Sequence, residues 1–182
     1  MKLFITIFVL TTSLTSLLNL FWNYFHNNNN NNYILNVCSS NDYVLEYYKN
    51  YTIKYKGDSG IDLVIPYDGI LLPKSYTKIE HNATFVLTKK NKHIAYSYYL
   101  YARSSLSLMP LIIPNSVGVI DAGFRGKLTT IVYNPNEYNI SYKQGNKFSQ
   151  ICASDLSEII VKINCDVPNC GTRGYNGFGS TS

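Results

Sequence analysis

The chain has 182 residues, an aromatic content of 14% and a formal charge of +5, from 16 Lys and Arg against 11 Asp and Glu. That length suits one main domain with room for an extra segment, and a core that needs no disulfide staples. No basic block stands out, which argues against a nucleic-acid-binding tail and fits a small anionic ligand equally well.

Residues 3 to 25 carry no charge and only Lys2 precedes them; an apolar run of that length can cross a bilayer. The Lys2 start resembles a signal peptide, yet no small-x-small cleavage site follows. An anchor, a cleaved leader and an accident of start-codon choice all stand as readings. The six asparagines Asn27 to Asn32 read as a disordered polar spacer. The expected organisation is a hydrophobic segment over 1–26, a spacer over 27–32 and a folded domain over 33–182. Contact with a membrane is expected only through residues 3–25.

From Tyr33 onward, short strand-like runs alternate with turn signals. NDYVLEYYKN (41 to 50) offers a turn or two of helix. Strands are expected at YTIKY (51 to 55), TKIEH (77 to 81), ATFVLT (83 to 88) and HIAYSYYLY (93 to 101). Further ones are expected at VGVI (117 to 120), KLTTIVYN (127 to 134), FSQICA (148 to 153) and EIIVKI (158 to 163). In YTIKY, Tyr51, Ile53 and Tyr55 would share one face. The architecture reads as all-β, a sandwich or jelly-roll-like barrel. The cysteines Cys38, Cys152, Cys165 and Cys170 form no CxxC pair and have no histidines nearby. A zinc site is therefore not expected, and free, partly buried thiols are the default.

Five stretches carry candidate chemistry. GVIDAGFRG (118 to 126) ends an apolar run on Asp121, with Phe124 and Arg125 close behind. Asp and Gly are also ordinary hairpin residues, so the stretch alone is balanced between turn and site. In YARSSLSL (101 to 108), Arg103 with Ser104 and Ser105 offers a planar cation and two hydroxyls, a compact phosphate cradle. An isolated Arg-Ser-Ser is more often a turn or helix cap. Asp62 in GDSGIDL (57 to 63) either holds a metal through water or caps a turn. Gln150 in QGNKFSQI (144 to 151) lies on an otherwise apolar strand and needs a partner if buried. RGYNGFGSTS (173 to 182) is too flexible for a core unaided and reads by composition as a plain terminus, or as a flap over an anion.

Taken in order, these five stretches resemble the five motifs of the trimeric dUTP diphosphatases (dUTPases), over residues 57 to 182. They look closest to the eukaryotic and large-DNA-virus variety, with its GDSG, PRSS, NSxGxIDAGYRG and RGxGGFGSTS. The resemblance implies a jelly-roll homotrimer with active sites at subunit interfaces, each closed by a C-terminal arm, here residues 171–182, exchanged between copies. It implies hydrolysis of dUTP to dUMP and pyrophosphate, which keeps uracil out of DNA and supplies dUMP for dTMP synthesis. Asp121 would be the general base for in-line water attack on the α-phosphorus, with Gln150 helping to position that water. Arg103, Ser104 and Ser105 would grip phosphates. Magnesium (Mg2+) would span the triphosphate, with Asp62 in its outer shell. Asn115, Val119 and Ile120 would form the uracil-reading hairpin, and Phe124 would pack under the deoxyribose. In the arm, Arg173, Ser180 and Thr181 would meet the γ-phosphate, with Phe178 stacked on uracil beside Gly179. By function, the compartment would be cytoplasm or nucleus, or a membrane surface through the N-terminal segment.

The chain departs from that pattern in places. Phe124 replaces tyrosine, keeping the ring that excludes a 2′-hydroxyl. Asn176 stands where glycine is usual, and Asn tolerates the left-handed region better than most residues. Tyr101-Ala102 precedes Arg103 where Gly or Pro is common. A dCTP deaminase shares the fold but needs a glutamate where this chain has Ile131. A catalytically silent, membrane-tethered dUTP-binding module draws its support from the hydrophobic segment alone. A secreted glycoprotein would use the formal acceptor sites at Asn50, Asn82 and Asn139.

Overall fold

The computed structural model describes residues 16–22, 33–90 and 92–167, and the chain divides into two units, Met1–Asn31 and Asn32–Ser182. In the first unit, residues 16–22 are helical and exposed. Among the described residues, no helix is long and apolar enough to cross a membrane.

The second unit is almost entirely β. It runs β1 (Tyr33–Ser39), α1 (Asp42–Lys49), β2 (Gly60–Asp62), β3 (Gly69–Leu71), β4 (Ser75–Glu80), β5 (Ala83–Lys89) and β6 (Lys92–Tyr96). It continues through β7 (Tyr98–Ala102), β8 (Val117–Ile120), β9 (Thr129–Asn134), β10 (Ile140–Tyr142), β11 (Ser149–Ala153) and β12 (Ile159–Ile163). One sheet has the order β12-β1-β5-β6 and the other β2-β11-β7-β8, with the ribbons β10-β3 and β4-β9 beside them. Leu35, Val37, Phe85 and Leu87 from the first sheet pack with Tyr98, Leu100 and Ile151 from the second in one buried cluster. A second cluster joins Ile65, Leu71, Ile79, Val132 and Phe148 at the ribbons. Alternation explains the faces: β9 buries Thr130, Val132 and Asn134 and half-exposes the residues between. The jelly-roll-like architecture expected from the sequence is the one observed.

The strands β1, β2, β3 and β10 were not expected, and two expected strands come out differently. Tyr51–Tyr55 forms no strand, because turn chemistry wins there. The Asp58 carboxylate accepts from the Tyr55 amide at 3.1 Å, and the Asp58 amide donates to the Tyr55 carbonyl. HIAYSYYLY is broken at Ser97, and its halves serve different sheets: β6 pairs with β5, and β7 with β11 and β8. The helix is as expected, eight residues or about two turns. Asn41 caps it by accepting from the Val44 amide at 3.1 Å, and Val44 and Tyr48 enter the core.

The cysteines are the clearest correction. Cys38, at the end of β1, and Cys165, just past β12, form a disulfide across 127 residues of sequence. Cys152 is free and buried, and Cys170 lies outside the described residues. The two strands that meet there run in parallel, Tyr33 beside Ile159 through Val37 beside Ile163. That pairing brings Cys38 and Cys165 to one edge, which spacing alone does not disclose. Nearby, the buried Asn36 amide donates to the Val86 carbonyl and Thr88 hydroxyl, each at 3.0 Å, and its oxygen accepts from Asn164.

Candidate active site

The strand β7 organises the site. Its C-terminal end delivers Arg103, and its N-terminal end lies beside the turn that carries Asp121. The register fixes this: Tyr98 faces Ile120 and Tyr101 faces Val117, so Asp121 sits opposite Ser97. The Ala122 amide donates to the Ser97 hydroxyl at 3.1 Å, which confirms the placement. Five residues, the whole of β7, lie between Ser97 and Arg103, so at roughly 3.3 Å per step the backbones of Asp121 and Arg103 stand about 20 Å apart along the strand within one chain.

At the Arg103 end the fold collects one group. Across β11 and its neighbours, Gln150 faces Asp62 on one side and Tyr101 on the other. Arg103 Nε pairs with the Asp62 carboxylate at 2.5 Å, and Lys147 Nζ approaches the same carboxylate at 3.9 Å. The Arg103 guanidinium also donates to Ser105 Oγ at 3.1 Å and to the Lys147 carbonyl at 3.4 Å. Ser104 and Ser105 open a 3-10 turn, Ser104–Leu108, whose first residues are exposed while Leu106 is buried. The Gln150 amide donates to the Ala102 carbonyl at 3.3 Å. Asp62, Arg103, Ser104 and Gln150 line one cavity of about 1100 Å³, together with Tyr43, Tyr47, Tyr51 and Lys147.

At the other end, Asp121 and Phe124 form a tight turn in which the Phe124 amide donates to the Asp121 carbonyl at 3.0 Å. Arg125 clamps it, donating to the carbonyls of Ala122 at 2.7 Å and Phe124 at 2.8 Å. Phe124 and Ile120 are half-buried and pack against the main core. Asn115 and Val119 are exposed, and Ser116 between them takes a left-handed φ of 53°. Gly118 is buried, and a Cβ there would come within 3.2 Å of both Asn115 Nδ2 and Leu100 Cβ. By the same register the Asn115 end of this hairpin lies at the Arg103 end of β7, and the Asp121 turn lies at the Ser97 end. Arg173, Phe178, Gly179, Ser180 and Thr181 lie outside the described residues, as does Asn176.

Sequence reasoning overlooked several residues here. Gly60 leaves the space that the Gln150 amide occupies; a Cβ there would collide with it. Tyr48 donates its hydroxyl to the Asp62 carbonyl at 3.0 Å and accepts from the Val64 amide, which fastens α1 to β2. Burial, then the nearby Asp62 carboxylate, push the Tyr47 phenol well above its ordinary range, so it stays neutral. Burial likewise raises the Cys152 thiol, which makes it a poor nucleophile.

The donor set can be tested against magnesium. Among the described residues, no group of three His, Cys, Asp or Glu side chains could hold a metal ion. Asp62 presents a carboxylate shared by two cations, with Glu46 and Asp58 elsewhere on the cavity wall. Such a set does not make an all-protein cage. It fits an ion carried mostly by phosphate oxygens and water, with one carboxylate in reserve.

Comparison with known proteins bears on all of this. A family model described as dUTPase matches residues 46–182. The chain is 29% identical over 129 residues to deoxyuridine 5'-triphosphate nucleotidohydrolase of Zymomonas mobilis, covering 69% of this chain and 83% of that one. It is 30% identical over 131 residues to the protein of the same name from Clostridium tetani, covering 70% and 84%. It is 32% identical over 142 residues to the Pol polyprotein of equine infectious anemia virus, covering 74% of this chain and 11% of the polyprotein. Among solved structures, a mutant dUTPase from phage phi11 of S. aureus aligns with a TM-score of 0.50 at 20% identity, over 65% of this chain and 88% of that one. That structure is described as revealing the coordination of a structural Mg(II) ion. These relatives are bacterial, phage and retroviral.

Proposed function

The chain belongs to the dUTPase family, and from that membership we propose that it hydrolyses dUTP to dUMP and pyrophosphate at sites shared between copies of a homotrimer. The observation that carries the reading is the register that sets Asp121 opposite Ser97 at one end of β7, with Arg103 just past the other end of that five-residue strand, about 20 Å along it. A general base must stand within hydrogen-bond reach of its water, and that water must be in line with the phosphorus. One chain cannot bring its own Asp121 to its own phosphate cradle; two neighbouring chains can.

In this mechanism one copy contributes the nucleoside side. The backbone around Asn115, Val119 and Ile120 reads uracil, and the Phe124 ring lies under the deoxyribose, where a 2′-hydroxyl would collide. Asp121, fixed by its turn and by the Arg125 clamp, takes a proton from the water as the water oxygen bonds to the α-phosphorus. The bond from that phosphorus to the bridging oxygen breaks, and pyrophosphate leaves with the electron pair. A second copy contributes Arg103, Ser104 and Ser105 to the departing phosphates, and Gln150 to the water. Arg173, Phe178, Gly179, Ser180 and Thr181 close the site from the C-terminal arm. Asp62 would hold the water shell of a magnesium ion bound with the nucleotide, which would supply neutralisation of phosphate charge.

A deaminase reading lacks support, since Ile131 of β9 supplies no proton shuttle. The wording of the five motifs favours the eukaryotic and large-DNA-virus type within the family. Turnover of dUTP, dCTP and UTP by the full-length chain tests the proposal. Pyrophosphate release from dUTP alone is expected; release from none of them would leave a silent binding module.

A further inference from the structure

One cation in the cavity has no part in the mechanism above. Lys147 precedes Phe148, whose carbonyl accepts from the Arg103 amide at 2.9 Å, so the two cations are backbone neighbours. The Lys147 ammonium lies 5.2 Å from the ring centre of Tyr47 and 3.9 Å from Asp62. A cation over an aromatic face is held without using its hydrogen-bond donors. At 3.9 Å the Asp62 contact is an ion pair longer than a hydrogen bond. Lys147 is thus parked beside the phosphate cradle with its ammonium donors uncommitted among the described residues.

The surroundings fix its position. Tyr47 is carried by α1, which Tyr48 fastens to the Asp62 backbone. The turn that launches Lys147 is closed by Asn146 Oδ1 accepting from the Lys143 amide at 2.8 Å. Its Gly145 has a φ of 89°, and a Cβ there would stand 2.9 Å from the Tyr43 hydroxyl. Tyr43, Tyr47 and Tyr51 recur at every fourth position and present one edge of α1 and its extension to the cavity. We infer that Lys147 is a second cationic arm for the ligand's polyphosphate, held ready on the Tyr47 ring and released by Asp62 when phosphates enter.

This rests on the hydrolase reading and adds to it. Arg103 offers a fork that one phosphate fills, whereas an ammonium binds as a point charge and reaches a neighbouring phosphate. Asp62 now shares its charge between both cations, so incoming phosphates compete with it for each. The arm therefore favours a chain of phosphates over a single one, binding substrate and pyrophosphate more than dUMP.

Calorimetric titration of the full-length chain with inorganic tripolyphosphate and, separately, with dUMP tests the arm. Lys147→Met should weaken tripolyphosphate binding by roughly 10- to 100-fold, the usual loss of one charge-assisted contact, and leave dUMP within about twofold. Lys147→Arg should restore most of the loss. Tyr47→Phe, which keeps the ring, should bind as the parent does, and Tyr47→Leu should shift in the direction of Lys147→Met. Unchanged tripolyphosphate binding in Lys147→Met, or equal loss of dUMP, overturns the inference. If the parent chain discriminates tripolyphosphate as described yet releases no pyrophosphate from dUTP, the hydrolase reading fails and the arm stands.

Discussion

At Gly60, having no side chain leaves room for the Gln150 amide, and any Cβ would push that amide aside. Gly60→Ala should therefore act on catalysis through Gln150, lowering kcat/KM by up to about 100-fold with little change in melting temperature, since misplacing a positioning group by an ångström costs that much. Parental kinetics in this variant would separate Gln150 from the water. Asp121 bears more directly on the reaction. Asp121→Asn keeps the shape and removes the base, and kcat should fall by about 100- to 10,000-fold while dUTP still binds. Loss of binding instead would make Asp121 a structural residue of the turn. Phe124→Tyr adds back a hydroxyl outside the sugar-facing ring and should leave selection against UTP intact.

Among the elements, β4, β9 and β11 meet at a buried polar chain. His81 is fully buried, with Nδ1 3.0 Å from the Val64 carbonyl and Nε2 2.8 Å from the Thr130 hydroxyl, which is 2.6 Å from Ser149 Oγ. A carbonyl only accepts, so neutral His81 carries its proton on Nδ1, Nε2 accepts from Thr130, and Thr130 accepts from Ser149. Burial pushes His81 down to about 4 from an ordinary 6.5. The unfolded chain thus takes up a proton below pH 6.5 that the folded chain refuses. Stability from this group is full above pH 6.5 and is lost as pH falls towards 4, by about 3 kcal/mol in all. Denaturant midpoints measured from pH 7 to pH 4 should drop accordingly, and His81→Gln should flatten that slope. An unchanged slope would place the acid sensitivity elsewhere.

How far elements could be read from residues depended on whether the cause was local. β5 and β9 carry their apolar pattern within their own residues, and both appear close to where the sequence puts them. YTIKY alternates just as well, yet no partner strand reaches it and Asp58 turns the chain. β2 and β3 are three residues each, too short for any period to show. Within the site, Asp62, Arg103, Ser104 and Gln150 were legible and do share a cavity. Lys147, Gly60 and Tyr47 were not, because their roles come from neighbours distant in sequence.

For the molecule as a whole, the disulfide closes nearly the full length of the β unit. Linking Cys38 to Cys165 across 127 residues should contribute about 3 to 5 kcal/mol by restricting the unfolded chain. Reduction, or Cys38→Ser, should lower the denaturant midpoint by a matching amount without changing the fold; no difference between oxidised and reduced protein would show that the Asn36 network and strand pairing suffice.

The same scale governs the proposed catalysis, because Asp121 and Arg103 stand at opposite ends of one strand. The most direct test is to co-express Asp121→Asn and Arg103→Ala chains, each inactive alone, and assay the mixed assembly on dUTP. Random mixing in a cyclic trimer gives about a quarter of its sites an intact carboxylate from one copy and an intact cradle from the next, so about a quarter of parental turnover should return. Mixed assemblies as inactive as either parent would contradict a site shared between chains.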